Sequence, residues 1–422
     1  MAATASYDLL SSPLRPWTGW VWCYDAAVII LAYMALAHSR VGMIGNPVAD
    51  RGQAAGISAA VGAMLRWFGR RHGFDVFDMT GISYQDSLDN ARRQLGSYDA
   101  LIVVGGDGMV NLGVNAVGSC GIPLGIVAVG SGNDFARGLR LPVGHPAESV
   151  RGIVGGLVCA TSLEVDLGRV RFHTSAADTS KAGSASRPIR RCIRESASSP
   201  FHVEDCADAY STVRSREGFP RPGDRYFAGM LSCGIDASIN DRANHSALPN
   251  GALRYVAAVA RELLHLRQYG YHVSLELPDG RLEDRDIATP LLTVANSRHI
   301  GDGIAISPYS RFDDGLLDLI WVKHMPSVVE CVHAITLAYR GQTMKSALFG
   351  WRRVRRVDIT RANIGARPPM LMMDGEYAGD LPVRVDAIGR VLRLLVPPAV
   401  ARRGLLRDDA DIDRRVREDV RG

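Results

Sequence analysis

Lysine is almost missing from this 422-residue chain, which has three, Lys181, Lys323 and Lys345, among 49 basic residues. Its positive charge is therefore nearly all guanidinium, the cation suited to planar, bidentate contact with phosphate and carboxylate. Genomic codon bias produces the same pattern. Charge of one sign is lacking too. The balance of 49 basic against 44 acidic residues leaves +5, too little to argue for nucleic acid, and no RNP, zinc-finger or basic-region pattern is present. Cysteine is sparse, seven scattered residues with no CxxC pair and no nearby histidine at ligand spacing. That excludes a disulfide framework and a zinc site and points to reduced cytosolic thiols. A bilayer-spanning helix needs roughly twenty apolar residues. The run at 26–37 has twelve, and a polytopic membrane protein is excluded. Internal repeats are absent.

What is present is an ordinary globular composition, 47% hydrophobic and 22% charged, long enough for two or three domains. Residues 1–40 resemble nothing later. There Trp17, Trp20 and Trp22 precede the apolar run, which reads as an interfacial segment, a docked extra helix or the product of a mis-assigned translation start. Ala35-Leu36-Ala37 mimics a signal-peptidase site, but of the expected positive cluster there is just Arg15.

Over 41–165 short apolar strands alternate with amphipathic helices, the pattern of a parallel sheet wrapped by helices. Strands are expected at 41–45, 74–77, 100–104 and 123–129, and helices at 57–71, 84–95 and 110–117. Over 166–400 the segments at 273–277, 291–296, 316–322 and 391–396 alternate like antiparallel strands, with one helix at 252–268. The Ser/Ala/Arg-rich stretch 174–222 reads as a mobile insertion, and 401–422 as a charged, solvated tail. The fold class is thus α/β followed by a β-rich domain.

Two glycine loops carry the first chemical signal. The strand at 100–104 runs straight into Gly105-Gly106-Asp107-Gly108 and a helix. Successive glycines let backbone amides turn inward as an anion-binding nest at a helix N-terminus, where the dipole also favours phosphate. Asp107 would repel a bare phosphate. It implies either a nucleotide arriving with a divalent cation or a hydrogen bond that holds the loop. The strand at 123–129 ends likewise in Gly130-Ser131-Gly132-Asn133-Asp134. Loops at the carboxyl ends of two sheet strands converge on one crevice, the usual ligand position of open α/β sheets.

At this point the sequence resembles the diacylglycerol kinase catalytic-domain family, which includes bacterial lipid kinases, sphingosine kinases and ceramide kinases. The resemblance spans roughly 41–397 without 174–222. Its landmarks are Asn46-Pro47, both glycine loops, VDLGRV (165–170), SCGIDA (232–237), DDGLLD (313–318) and MMDGEYAG (372–379). It implies an N-terminal domain akin to those of NAD kinases and phosphofructokinases, a C-terminal β-sandwich-like domain carrying the acceptor site, ATP in the cleft between them, and a final strand returning to the first domain. By analogy ATP would meet Asn46, Thr80, Gly105, Gly106, Asp107, Gly108, Met109, Val110, Asn111, Gly130, Ser131, Asn133 and Asp134. The catalytic carboxylates fall on Asp374 and Glu376, Asp374 as general base and Glu376 as ligand of the nucleotide or its metal. A structural Mg²⁺ would take the Asp314 carboxylate and the carbonyls of Arg311 and Leu316. Without the family, the DGE turn reads as an exposed acidic turn in a hairpin and DDGLLD as a solvated turn opening a strand.

The implied activity is an ATP- and Mg²⁺-dependent lipid kinase, most simply converting diacylglycerol to phosphatidic acid. Such an enzyme is expected in the cytoplasm, peripherally associated with the membrane that holds its lipid substrate; a homodimer is compatible with this. Candidate docking groups are Trp351 with Arg352, Arg353, Arg355 and Arg356, and Arg254, Arg261 and Arg267 on the helix at 252–268. The bland alternative is a basic strand and an inward-packed helix. Three positions depart from the family pattern: Met109 stands where Thr is usual, Leu112 where Glu is common, and Asp50 where Gly is usual. They motivate a catalytically weak nucleotide- or lipid-binding pseudokinase as a rival. An NAD kinase-type enzyme is the other rival, but it leaves DDGLLD, SCGIDA and the DGE turn unexplained.

Overall fold

The computed structural model describes residues 39–46, 53–118, 120–172, 224–244, 257–258, 261–262, 265–301, 303–403 and 414. Nearly all of the extension 1–40, all of 174–222, and most of the expected helix 252–268 and tail 401–422 lie outside the described residues, as do Pro47, Asp50, Gly52, Arg254 and Asp302.

The first half alternates β1 (Ser39–Gly45), α1 (Gln53–His72), β2 (Phe74–Asp78), α2 (Tyr84–Arg93), β3 (Ala100–Gly105), α3 (Asp107–Val117), β4 (Leu124–Ala128), α4 (Asp134–Gly138) and α5 (Pro146–Val158). Its four strands run parallel in the order β2-β1-β3-β4. The continuous apolar sequence of β3 is explained by burial on both faces. Leu101 and Val103 cluster with Leu88 and Ala91 of α2 and Val110 and Val114 of α3. Ala100, Ile102 and Val104, alternating with them, cluster with Val61 and Leu65 of α1 and Val150 and Ile153 of α5.

The second half comprises β5 (Ser162–Phe172), β6 (Arg225–Phe227), β7 (Met230–Ser232), α6 (Ile235–Asn244), β8 (Tyr269–Glu276), β9 (Leu282–Thr289), β10 (Leu292–Ala295), β11 (Leu317–Val322), α7 (Val328–Tyr339), β12 (Phe349–Val354), β13 (Arg356–Arg361), β14 (Leu371–Met373), β15 (Glu376–Gly379), β16 (Val383–Leu395) and α8 (Pro398–Arg403). One sheet, β12-β11-β10-β7-β14-β15, is antiparallel throughout. It packs through Leu231, Val294, Leu319 and Met373 against Val273, Val357, Val383 and Val385 of β8, β13 and β16, which makes a β-sandwich. The second sandwich layer is an extension of the parallel sheet, because β16 pairs antiparallel with β5 and β13 and, at Leu394, parallel with Leu124 of β4. The expected return of the last strand is therefore present, and it welds both halves into one sheet.

Five helices, α4 to α8, go beyond the sequence expectation, α4 and α8 being the shortest. In α5, glycines lower helix propensity, yet burial of Val150, Ile153 and Val154 overrides it. Helix α6 is short. The start of α7, with its valines, looks like a strand, but a capping box ties it: Ser327 Oγ accepts from the Glu330 amide while the Glu330 carboxylate accepts from the Ser327 amide. Helix α3 also begins at Asp107 rather than at 110, so the glycine loop is tighter than the apolar pattern implies.

Candidate active site

The two glycine loops touch backbone to backbone. A Cβ on Gly130 would lie 2.4 Å from the Gly106 Cα, so no side chain fits there. The Val129 amide donates to the Gly105 carbonyl at 3.0 Å. The Asp107 carboxylate then crosses between the loops, accepting from the amides of Asp134 at 3.1 Å and Phe135 at 3.2 Å. Of its two sequence readings, this geometry carries the loop-holding hydrogen bond. Burial pushes the Asp107 pKa up, and those amides oppose the shift. Asn133, left-handed at φ 57°, closes a ring on Gly130, its Oδ1 accepting from the amide at 3.0 Å and its Nδ2 donating to the carbonyl at 2.5 Å. The Asp134 Oδ1 accepts from the Gly303 amide at 2.9 Å, a tie to the second half. Ser131 stands exposed at the loop tip.

Around them, Asn46 borders Gly105. The Thr80 hydroxyl is engaged at the end of β1, accepting from the Gly45 amide at 2.9 Å and donating to Asp78. Met109 and Leu112 are buried, at 6% and 0% exposure. Met109 folds back over Gly105, whose added Cβ would meet its Cγ at 2.4 Å. Where the family pattern has a hydroxyl, this chain fills the loop with a thioether.

The DGE turn joins β14 to β15 and lies against this helix start. Asp374 (φ 50°) and Gly375 (φ 85°) both take left-handed backbone. The Asp374 carboxylate accepts four hydrogen bonds: from Asn111 Nδ2 at 2.9 Å and the amides of Ala228 at 2.9 Å, Gly229 at 2.8 Å and Met230 at 3.0 Å. Burial lifts its pKa to about 6, while those donors pull it down. Glu376 reaches the first turn of α3. A Cβ on Gly108 would lie 2.6 Å from its Oε1, and its carboxylate accepts no hydrogen bond from the described residues. Its pKa is raised by burial, eased by Arg225 and raised further by Asp374. Residues some 260 positions apart in sequence thus share one wall.

Several members of this site carry no sequence signal. Tyr84 OH donates to Asn111 Oδ1 at 2.8 Å, fixing which way the amide points. Asn115 grips the Tyr226 backbone twice, donating to its carbonyl at 2.8 Å and accepting from its amide at 2.9 Å. Arg225 donates to the carbonyls of Ala378 and Tyr377 beside Glu376. Asn296, which lies in a stretch that resembles a family turn near the site, is the exception, its Nδ2 bridging the carbonyls of Asp166 and Ala228. The other long-range polar ties arise from topology and leave no local motif.

The DDGLLD turn is built differently. Asp318, 3% exposed, accepts from Ser310 Oγ at 2.7 Å and Trp351 Nε1 at 2.8 Å, with Arg353 Nε at 3.4 Å. Arg353 also lies 3.5 Å from Asp314, and the Leu316 amide donates to the Asp314 carboxylate at 3.0 Å. Arg311 pairs with Asp313 at 3.2 Å. Burial raises the Asp314 pKa to about 7; Arg353 counters, and the charges of Asp318 and Asp166 add to the rise. This uncompensated negative charge and the neighbouring carbonyls suit a hard, oxygen-seeking cation. No group of three or more His, Cys, Asp or Glu converges anywhere among the described residues. A cation here would therefore have Asp314 as its carboxylate and backbone carbonyls for the rest.

The basic strand expected to dock at a membrane has its cations engaged. Arg352 meets Glu283, Arg353 meets Asp314 and Asp318, Arg355 donates to the Pro278 carbonyl, and Arg356 meets Glu276 and Asp386. Of these pairs only Arg352–Glu283 links the two layers of the sandwich, and Arg352 and Arg355 remain exposed. No helix of the described residues is long and apolar enough to cross a membrane.

The chain matches known proteins along most of its length. The family model described as the diacylglycerol kinase catalytic domain matches residues 40–170, and that of the YegS C-terminal NAD kinase beta sandwich-like domain matches residues 229–396. A diacylglycerol kinase of Mycobacterium tuberculosis is 25% identical over 363 residues, covering 85% of this chain and 95% of its own. One from Bacillus subtilis is 24% identical over 306 residues, covering 72% and 79%. In fold, the crystal structure of a diacylglycerol kinase from Bacillus anthracis superposes with a TM-score of 0.52 at 15% identity, over 86% of this chain and 98% of that one. Two domain matches that together take in 40–170 and 229–396, with relatives that match along most of the chain, lead to one conclusion: the chain belongs to the diacylglycerol kinase catalytic-domain family.

Proposed function

We propose that this lipid kinase transfers the γ-phosphoryl group of ATP to a lipid hydroxyl, most simply that of diacylglycerol, to give phosphatidic acid. The observation that carries the reading is the approach of Glu376 to Gly108 together with the Asp374–Asn111 bond. It puts carboxylates beside the amides at the start of α3, where phosphate is favoured. Phosphoryl transfer requires positioned phosphates, neutralised charge, an in-line hydroxyl and an acceptor for its proton.

In this reading 41–165 bind the nucleotide and 166–400 the acceptor. Gly105 to Asn111 and Gly130 to Asp134 cradle the phosphates, with Asn46 and Thr80 at the rim. Mg²⁺, when bound, supplies neutralisation of phosphate charge, and Glu376 is the free carboxylate able to hold it there. Asp374 takes the proton. Its pKa of about 6 leaves it ionised at neutral pH yet more basic than an ordinary aspartate. All four acceptor positions of its carboxylate are filled, so one donor must give way. The exchange is easiest at Asn111, whose amide already reaches the Tyr226 carbonyl at 3.2 Å. At the DDGLLD turn a structural Mg²⁺ would be held by Asp314 and the carbonyls of Arg311 and Leu316.

For the hydrocarbon, the second half offers an apolar cavity of about 410 Å³ lined by residues that include Ile235, Ile239, Ile300, Ile304, Ile335 and Tyr339. Ile300 and Ile304 flank Gly303, whose amide meets Asp134, so one cavity wall adjoins the second glycine loop. The natural site of action in this reading is the cytoplasmic membrane surface.

The test is incubation of the purified protein with labelled ATP, Mg²⁺ and separate acceptors: diacylglycerol, ceramide, a long-chain base and NAD. Label in a lipid, lost in Asp374→Asn, is the expected result. Label in NAD instead would transfer the reading to the NAD kinase type, and failure to bind Mg-ATP by calorimetry would favour the pseudokinase.

A further inference from the structure

We propose that the outward face of α7 is the surface that seats this protein on a bilayer containing anionic lipid. Five large hydrophobic side chains of α7 stand exposed, Val328 at 80%, Val329 at 78%, Val332 at 60%, Ile335 at 37% and Tyr339 at 62%, and Met325 at 42% shortly precedes the helix. The other large exposed hydrophobics among the described residues, such as Trp67, Leu282 and Ile364, are scattered along the chain. At about 100° per residue, Val328, Val332, Ile335 and Tyr339 fall within an arc of about 60°. Ala334, Leu337 and Ala338, on a different side, are buried. The helix is therefore apolar on two sides, one packed on the protein and one facing out.

Exposed cations flank the helix along the chain, Lys323 before it, Arg340 at its C-cap and Lys345 after it, two of them among the three lysines in the chain, and Glu330 is the single acid between 321 and 350. That carboxylate is closed into the helix cap by Ser327 and lies 3.0 Å from His324. An apolar stripe flanked by cations matches an interface that is hydrocarbon below and anionic phosphate above. A second copy of this chain would bring the same positive charge against itself. The stripe is also continuous with the apolar cavity, since Ile335 and Tyr339 belong to both. Hydrocarbon leaving the bilayer at this face enters the cavity without crossing water. In choosing a bilayer as occupant the inference rests on the lipid-kinase reading.

The experiment is sedimentation of the full chain, without ATP, with phosphatidylcholine vesicles and with phosphatidylcholine–phosphatidylglycerol vesicles. Val329 and Val332 do not line the cavity, so the double variant Val329→Glu/Val332→Glu isolates the outer face. It should lose vesicle binding by about tenfold or more while still phosphorylating a short-chain, water-dispersed diacylglycerol. Lys323→Glu/Lys345→Glu should weaken binding to the anionic vesicles alone, by about fivefold per residue. Undiminished vesicle binding by the valine variant overturns the inference. So does a wild type that sediments as a dimer in ultracentrifugation and becomes monomeric in the variant, which reassigns the face to a second copy. If the wild type phosphorylates no lipid although the valine variant loses vesicle binding, the docking face stands and the kinase reading fails.

Discussion

Two acidic turns in the second half look alike in sequence, Asp374-Gly375-Glu376 and Asp313-Asp314-Gly315, and locally either would pass as an ordinary solvated turn. Their surroundings differ in kind. Asp374 is held by backbone amides and an asparagine, donors that carry no net charge, and it shares a wall with a helix N-terminus. Asp314 and Asp318 are held by one arginine. A carboxylate stabilised by neutral dipoles keeps its whole charge available to a ligand, whereas the two beside Arg353 share one fixed guanidinium, which offsets part of their charge and leaves the remainder for a cation. Chemistry is therefore expected at the first turn and architecture at the second.

The sharpest way to break this contrast is Asp374→Asn. We expect kcat to fall about a thousandfold, in the range for loss of a general base. Stability should fall as well, by about 1–3 kcal/mol, because one amide nitrogen must face backbone N–H groups. Kinetics and urea unfolding of the same preparation separate the two effects. A variant with wild-type kcat would end the assignment.

Arg353→Leu should show the opposite profile. It strands two carboxylates that are mostly buried, at 14% and 4% side-chain exposure, and breaking a buried pair costs about 3–5 kcal/mol, less where water still reaches it. We expect unfolding to occur at clearly lower urea while kcat per folded molecule stays within about threefold, below 1 kcal/mol of barrier. A large kcat loss without destabilisation would reverse the roles of the two turns.

The pH responses sharpen the comparison further. Asp374 titrates at about 6, so kcat should rise as pH increases through 6 and then level off. Stability moves the other way. Both Asp374 and Asp314 have folded pKa values raised above 3.8, to about 6 and about 7. The folded state binds protons more tightly, so this contribution is full below about pH 4 and declines as pH rises through 6 and 7. Mg²⁺ should recover part of the loss at the Asp314 turn. Thermal unfolding at pH 5 and pH 8 with and without Mg²⁺ checks this; a metal effect equal at both pH values would argue against a cation at that carboxylate.

The smallest effect is expected from Met109→Thr. It restores a hydroxyl to the glycine loop and removes the thioether packed over Gly105. A hydrogen bond to phosphate worth about 1 kcal/mol would lower KM for ATP about fivefold, with a slightly lower melting temperature from the vacated volume. An unchanged KM would mean that the loop binds phosphate through its amides alone.

The glycine loops were legible because an amide nest needs consecutive small residues, a demand written locally in the chain. The parallel sheet was legible because both-face burial produces unbroken apolar strands such as β3. Helix α7 was not, since its valines suit a strand and the deciding signal, the Ser327–Glu330 cap, is short. Asp107 was legible as an important residue but ambiguous in role, because the amides it binds belong to another loop. Tyr84, Arg225 and Asn115 were invisible: their partners are carbonyls and amides with no sequence signature.

By itself the sequence determined the α/β half, the two glycine loops and the family, all features in which a local run of residue types meets a local backbone requirement. Tertiary structure alone decided that Glu376 meets Gly108, that Arg353 joins Asp314 to Asp318, and that one side of α7 is left facing out. Each depends on which strands become neighbours, and that is fixed by the packing of two sheets through the long strand β16.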